Sequence, residues 1–171
     1  MSGENLITAV LICAASAVLE GLCAGRDVKA VFAALRSPKY SAPLPVWYAI
    51  GVMYYVTFGF VLYRLLLHWD TSVVARFATL LVAVMMIANA LWNLVFFRAR
   101  NLFAAFVTGS LAPLFDLALL MCLLRLDTMA VWALVPYLIY RIYAVWWGFA
   151  LWQINRGPRR SRAGRDNAAA I

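Results

Sequence analysis

The chain has 171 residues, 66% of them hydrophobic and 13% charged, with a formal net charge of +8. Ordinary soluble domains are about half apolar and about a quarter charged, so this composition leaves too little polar surface to cover a globule. The basic residues gather in loops and the tail rather than on one folded face, which argues against a nucleic-acid groove and suits a membrane protein.

In chain order, the first apolar segment runs from Asn5 to Ala24. A signal peptide wants a positive leader, and Glu4 is the only charge ahead of this stretch, so it reads as a retained helix. Glu20, near its end, is expected to snorkel or to pair with a base of the following loop. Gly21 and Gly25 form a GxxxG, a hint of helix packing or dimerisation. The loop from Gly25 to Pro45 is long and holds Arg26, Asp27, Lys29, Arg36, Pro38, Lys39, Pro43 and Pro45. Loops of this length are usually functional or disordered. Val28 to Leu35 within it can form a short amphipathic helix at the interface.

Four further apolar segments cover Val46–Leu67, Val73–Phe97, Leu102–Leu124 and Met129–Ile154. Each holds about 20 residues or more, enough at 1.5 Å per residue for the ~30 Å hydrocarbon core. No alternating pattern favours a β-barrel. The expected fold is therefore an all-α integral membrane bundle of five transmembrane helices, one domain over residues 1–155, with a basic disordered tail over 156–171. Eleven basic residues (Arg26, Lys29, Arg36, Lys39, Arg98, Arg100, Arg156, Arg159, Arg160, Arg162 and Arg165) fall on one side, against Arg64, Arg76 and Arg125 on the other. That bias puts the N-terminus outside and the C-terminus in the cytoplasm.

Cys13, Cys23 and Cys122 lie in or beside apolar segments, with no Cys/His cluster for a metal and no disulfide framework. The lone histidine, His68, is expected to be solvated, and one histidine cannot give bis-histidine haem ligation. No catalytic constellation is visible. Asp116 and Arg141 are ionisable groups within spans and so are functional hypotheses by default. Both lie about 20 Å from the same membrane face on neighbouring antiparallel helices, so an ion pair between them is expected, as a helix lock or as ligand contact. Pro113, one turn before Asp116, can bend the fourth span.

The aromatics carry more information. Trp132, Pro136, Tyr140, Tyr143 and Trp147 follow helical steps along one face of the fifth span. Asn89, Trp92 or Asn93, and Phe96 share a face of the third, and Trp47, Gly51, Tyr55 and Phe58 a face of the second. Such stripes are often plain packing. Joined with the amides Asn89 and Asn93, they describe an apolar cavity with a few polar groups, suited to flat hydrophobic ligands. Val135 to Arg141 also fits a loose cholesterol-contact pattern, which is weak evidence.

Two blocks resemble the TspO, or translocator protein, family. One is Asn89-Ala-Leu-Trp92-Asn-Leu-Val-Phe96-Phe97. The other runs from Leu126-Asp-Thr through Val135-Pro136-Tyr137-Leu-Ile-Tyr140 to Asn155. Pro38 and Pro43 before Val46, and then Tyr55, resemble the family's entry into its second helix. The resemblance implies a five-helix bundle, often a homodimer in the lipid bilayer, that binds porphyrins and in some members sterols or benzodiazepine-type drugs under the first loop. It implies no obligatory cofactor, with porphyrin or haem as a possible ligand. Carried over by position, the ligand site comprises Val46, Trp47, Tyr55, Asn89, Trp92, Tyr140, Ala144 and Trp147. The family has Trp where this chain has Gly51 and Tyr140, and Asn where it has Gly148. Light-dependent porphyrin breakdown in bacterial members relies on those tryptophans, so the expected role is binding, with porphyrin degradation, or transport through the Asp116–Arg141 pair, as alternatives.

Overall fold

The structure is a computed structural model and describes residues 2–157. The sequence-predicted tail falls outside the described residues from position 158 onward. Among the described residues there are helices and no strands. α1 spans Ser2–Ala24, α2 Val28–Ala34, α3 Leu44–Leu67, α4 Val73–Asn93, α5 Leu102–Leu126 and α6 Thr128–Asn155. Five of these, all but α2, are long and apolar enough to cross a membrane. The chain is a membrane bundle of five helices, with α2 lying in the first loop.

Local chemistry sets the helix ends. α1 stops at Gly25, whose φ of +76° is left-handed and whose N–H bonds the Gly21 carbonyl at 3.0 Å. Gly25 of the GxxxG is thus a helix terminator. Around Gly21, an added Cβ would meet nothing within 4 Å. Pro43 precedes α3, and Pro45 sits in its first turn, where a missing N–H costs nothing. Side chains of Ser72, Asn101 and Asp127 accept from the backbone N–H of Ala75, Ala104 and Ala130 at 3.3, 3.0 and 3.1 Å. Asp127 alone joins α5 to α6, which forces them into antiparallel contact.

One expected helix changes character. The third span does not run to Phe97 as plain α-helix: from Leu94 to Arg98 it winds as a π-helical turn. The Ala99 N–H accordingly reaches back five residues to the Leu94 carbonyl at 3.0 Å.

Two packed cores result. The larger, away from the first loop, joins Phe58, Leu62, Leu119, Leu123, Leu134 and Tyr137. The smaller lies beneath the first loop and joins Val31, Phe96, Ala105, Trp147 and Leu151. The outer faces remain apolar, as Leu6, Val10, Val18, Val84, Leu117 and Ile139 show. That is the surface a bilayer covers.

Candidate functional site

Between the two cores is a cavity of about 260 Å³. α4 supplies Asn89 and Trp92, and Phe96 follows in the π turn. α5 supplies Ala105, Thr108, Gly109 and Ala112. α6 supplies Tyr140, Arg141, Ala144 and Trp147, and Trp47 reaches in from α3. The walls are mostly aromatic and aliphatic, with few polar groups.

Close packing holds the walls. The Trp92 indole stacks on Phe96, with ring centroids 4.9 Å apart, and its Nε1 donates to the Ala105 carbonyl at 2.8 Å. A Cβ on Gly109 would lie only 3.3 Å from that Nε1, so a glycine lets α4 and α5 approach here. Trp47 and Trp147 meet with centroids 4.5 Å apart.

The first loop closes the end above these rings. Phe32 of α2 sits among Trp47, Phe96, Phe97 and Trp147, with centroid distances of 6.4, 6.1, 5.9 and 6.2 Å. The Tyr143 hydroxyl accepts from Ala42 N–H and donates to the Tyr40 carbonyl, both at 3.0 Å. Trp147 Nε1 donates to Ser41 Oγ at 2.9 Å, and Trp47 Nε1 to the Ala42 carbonyl at 3.0 Å. The Asn155 side chain accepts from the Arg36 N–H at 3.0 Å and donates to the Arg36 carbonyl at 2.9 Å. Most of this strapping comes from α6.

The inner end carries charge. Arg141 Nε donates to Asp116 Oδ2 at 2.8 Å, and Asp116 is 2% exposed. Arg141 Nη2 bonds the Tyr137 hydroxyl, and its guanidinium lies 4.9 Å from the Tyr137 ring centre. The other carboxylate oxygen of Asp116 is buried without a partner among the described residues.

Of the residues the sequence assigns to ligand contact, Trp47, Asn89, Trp92, Tyr140, Ala144 and Trp147 line this one cavity. Val46 and Tyr55 do not. Val46 is exposed, and Tyr55 turns toward α1, where it borders a separate shallow groove with Cys13 and Gly59. Val46 is about 100° round α3 from Trp47, and Tyr55 is two turns further along the helix and about 80° round. Gly51 also faces open space, since an added Cβ would meet nothing within 4 Å.

Glu20 requires a correction. It does not reach a base of the first loop. It accepts a hydrogen bond from the Asn89 side chain on α4. Helical side chains tilt toward their helix's N-terminus, here into the bundle and away from the loop. Asn93 Nδ2 donates to the Asn89 carbonyl at 2.9 Å and completes this polar cluster.

Sequence reasoning missed the α5 wall and a second ion pair. Arg64 Nε donates to Asp127 Oδ2 at 2.6 Å, with His68 Nε2 at 3.9 Å from the same oxygen. Burial alone would raise the Asp127 carboxyl. The Arg64 hydrogen bond and the N–H groups of Ala130 and Met129 outweigh it and hold the group below the ordinary range. The available signal was a basic residue in the last turn of α3, Arg64, on the same side of the membrane as an N-cap Asp at the start of α6.

The model of the TspO/MBR family matches residues 9–153, nearly the whole chain. The chain belongs to the TspO/MBR family. No curated protein matches its sequence. Family membership and five apolar helices together make it an integral, multi-pass membrane protein. Every cavity residue named above lies within the span that matches TspO/MBR.

Proposed function

We propose that this TspO/MBR protein is a membrane receptor for flat hydrophobic ligands, porphyrin-like tetrapyrroles among them, which enter the cavity between α4, α5 and α6. One observation carries the reading: an aromatic-walled cavity within the bundle, whose polar side chains besides the indole N–H groups are Asn89, Thr108, Tyr140 and Arg141. Aromatic walls suit the face of a flat ring system, and sparse polar groups set its orientation. Its volume lies just below the ~300–1,000 Å³ common for ligand pockets. A fused-ring ligand would fill it, and a tetrapyrrole would need Phe32 to leave the ring cage. The sole histidine, His68, does not line the cavity, so a metalloporphyrin would be held by its faces rather than by an imidazole. The first loop and the basic residues beside it are assigned to the cytoplasmic side on charge bias.

The test is titration of detergent-solubilised protein with protoporphyrin IX, following tryptophan quenching in wild type, Trp92→Phe and Trp147→Phe. Saturable quenching that weakens in both variants is expected. Quenching that grows without saturating in folded protein, or that ignores both substitutions, overturns the proposal. Absorbance of the bound porphyrin under illumination, read in the same samples, separates binding from breakdown.

A further inference from the structure

Arg141 has more hydrogen-bonding capacity than its protein partners use. A guanidinium offers five N–H donors. Nε is taken by Asp116 and Nη2 meets Tyr137, while Nη1 has no partner among the described residues. Arg141 also lines the cavity, whereas the buried Asp116 does not. The residue with this spare donor is thus one that lines the space a ligand would occupy.

The charge at this point is already balanced. Asp116 and Arg141 form a neutral pair at 2.8 Å within the membrane span. A ligand carboxylate placed against Arg141 would add a second anion beside Asp116 and leave a net negative charge in a low-dielectric interior. Uncompensated charge there is expensive. A neutral acceptor, such as the carbonyl oxygen of a ketone, ester or amide, takes the free donor and leaves the pair neutral.

We propose that the Arg141 guanidinium is the polar anchor of the cavity, binding a neutral carbonyl-type oxygen on an otherwise apolar flat ligand, with Asp116 enforcing discrimination against carboxylates. This rests on the ligand-binding reading above and adds the chemistry of the group bound. Asp116 acts through Arg141 and is a positioning residue. Carboxylates on a larger ligand then belong at the opposite end of the cavity, near the basic loop.

The experiment uses full-length protein in detergent and three probes sharing one ring system: pyrene, 1-acetylpyrene and 1-pyrenecarboxylate. Binding is read by energy transfer from tryptophan, with each affinity corrected for micelle partition. In wild type, acetylpyrene is expected to bind about tenfold more tightly than pyrene, the effect of one well-placed hydrogen bond to a charged donor. Pyrenecarboxylate should gain nothing over pyrene. In Asp116→Asn the order of the two polar probes should reverse, because Arg141 then carries an unbalanced charge. The double variant Asp116→Leu/Arg141→Met should lose the advantage of acetylpyrene over pyrene. Equal wild-type affinities for acetylpyrene and pyrene overturn the inference, as does an advantage that survives in the double variant. If Asp116→Asn fails to fold, the wild-type and double-variant arms still decide. If no probe saturates, the ligand-binding reading itself fails. If pyrene saturates without an acetyl advantage, that reading stands and only the role of Arg141 falls.

Discussion

Trp147 Nε1 donates to Ser41 Oγ at 2.9 Å, so a residue that walls the cavity also holds the loop above it. Tyr143 and Asn155, one turn before and two turns after on the same helix, bond the backbone of the same loop. Cavity and cover are therefore mechanically joined through α6.

Tyr143→Phe keeps the ring and removes the hydroxyl, leaving the Ala42 N–H without its acceptor. A cost of about 1 kcal/mol is expected. Hydrogen exchange should accelerate in the segment 36–43 and stay unchanged in α4. Equal exchange in both proteins would show that the hydroxyl does not restrain the loop.

Phe32→Ala empties the ring cage formed by Trp47, Phe96, Phe97 and Trp147. The ring is half-buried, so the stability loss should be about 2 kcal/mol, less than for a fully buried Phe. Affinity for protoporphyrin IX should rise, because the ligand no longer has to displace the ring. Weaker porphyrin binding would mean that Phe32 contacts the ligand instead of competing with it.

For the ion pair the sign of coupling is the test. Arg141→Met alone strands a 2%-exposed carboxylate and should cost about 3 kcal/mol or more. Adding Asp116→Leu should restore most of that, measured as thermal midpoints in detergent. Additive losses would rule out the pair as a coupled unit.

Asp127 predicts a pH dependence. Its folded carboxyl titrates below the ordinary range. Its contribution is complete above the unfolded value of about 3.9 and is lost as pH falls through the lower folded value. Asp127→Asn keeps a good N-cap but removes the charge facing Arg64. The variant should be less stable than wild type at neutral pH, and the gap should close in acid. A gap independent of pH would assign the loss to the cap alone.

At Gly109 a Cβ would press on the Trp92 indole at 3.3 Å. Gly109→Ala should displace that indole from its bond to the Ala105 carbonyl, shift tryptophan emission and weaken ligand binding severalfold. Gly109→Val should do more. Unaltered emission in both would show that α4 and α5 separate to make room.

The five spans could be read from segment length and apolarity, because a bilayer allows few alternatives. Helical spacing also placed Asn89, Trp92, Tyr140 and Trp147 on faces that the structure brings to one cavity. Equal depth on adjacent antiparallel helices is what lets Asp116 and Arg141 meet. The α5 wall was hidden because that helix is apolar all round, and Thr108, Gly109 and Ala112 matter through smallness rather than pattern. The π turn depends on hydrogen bonds five residues apart, which no hydropathy pattern encodes. The Glu20–Asn89 and Arg64–Asp127 contacts join residues 69 and 63 positions apart, and only tertiary packing decides them.

Leu91 and Phe115 border the cavity and are also 52% and 40% exposed on the outer face of the bundle, between α4 and α5. This wall of the cavity is thus shared with the apolar surface that meets acyl chains, while the first loop roofs its end. A hydrophobic ligand arriving through that wall is drawn from the bilayer, where partitioning concentrates it far above its aqueous level. Occupancy then tracks moles of ligand per mole of lipid. Diluting a fixed ligand-to-protein mixture with empty vesicles should strip the site, whereas diluting it with buffer should not.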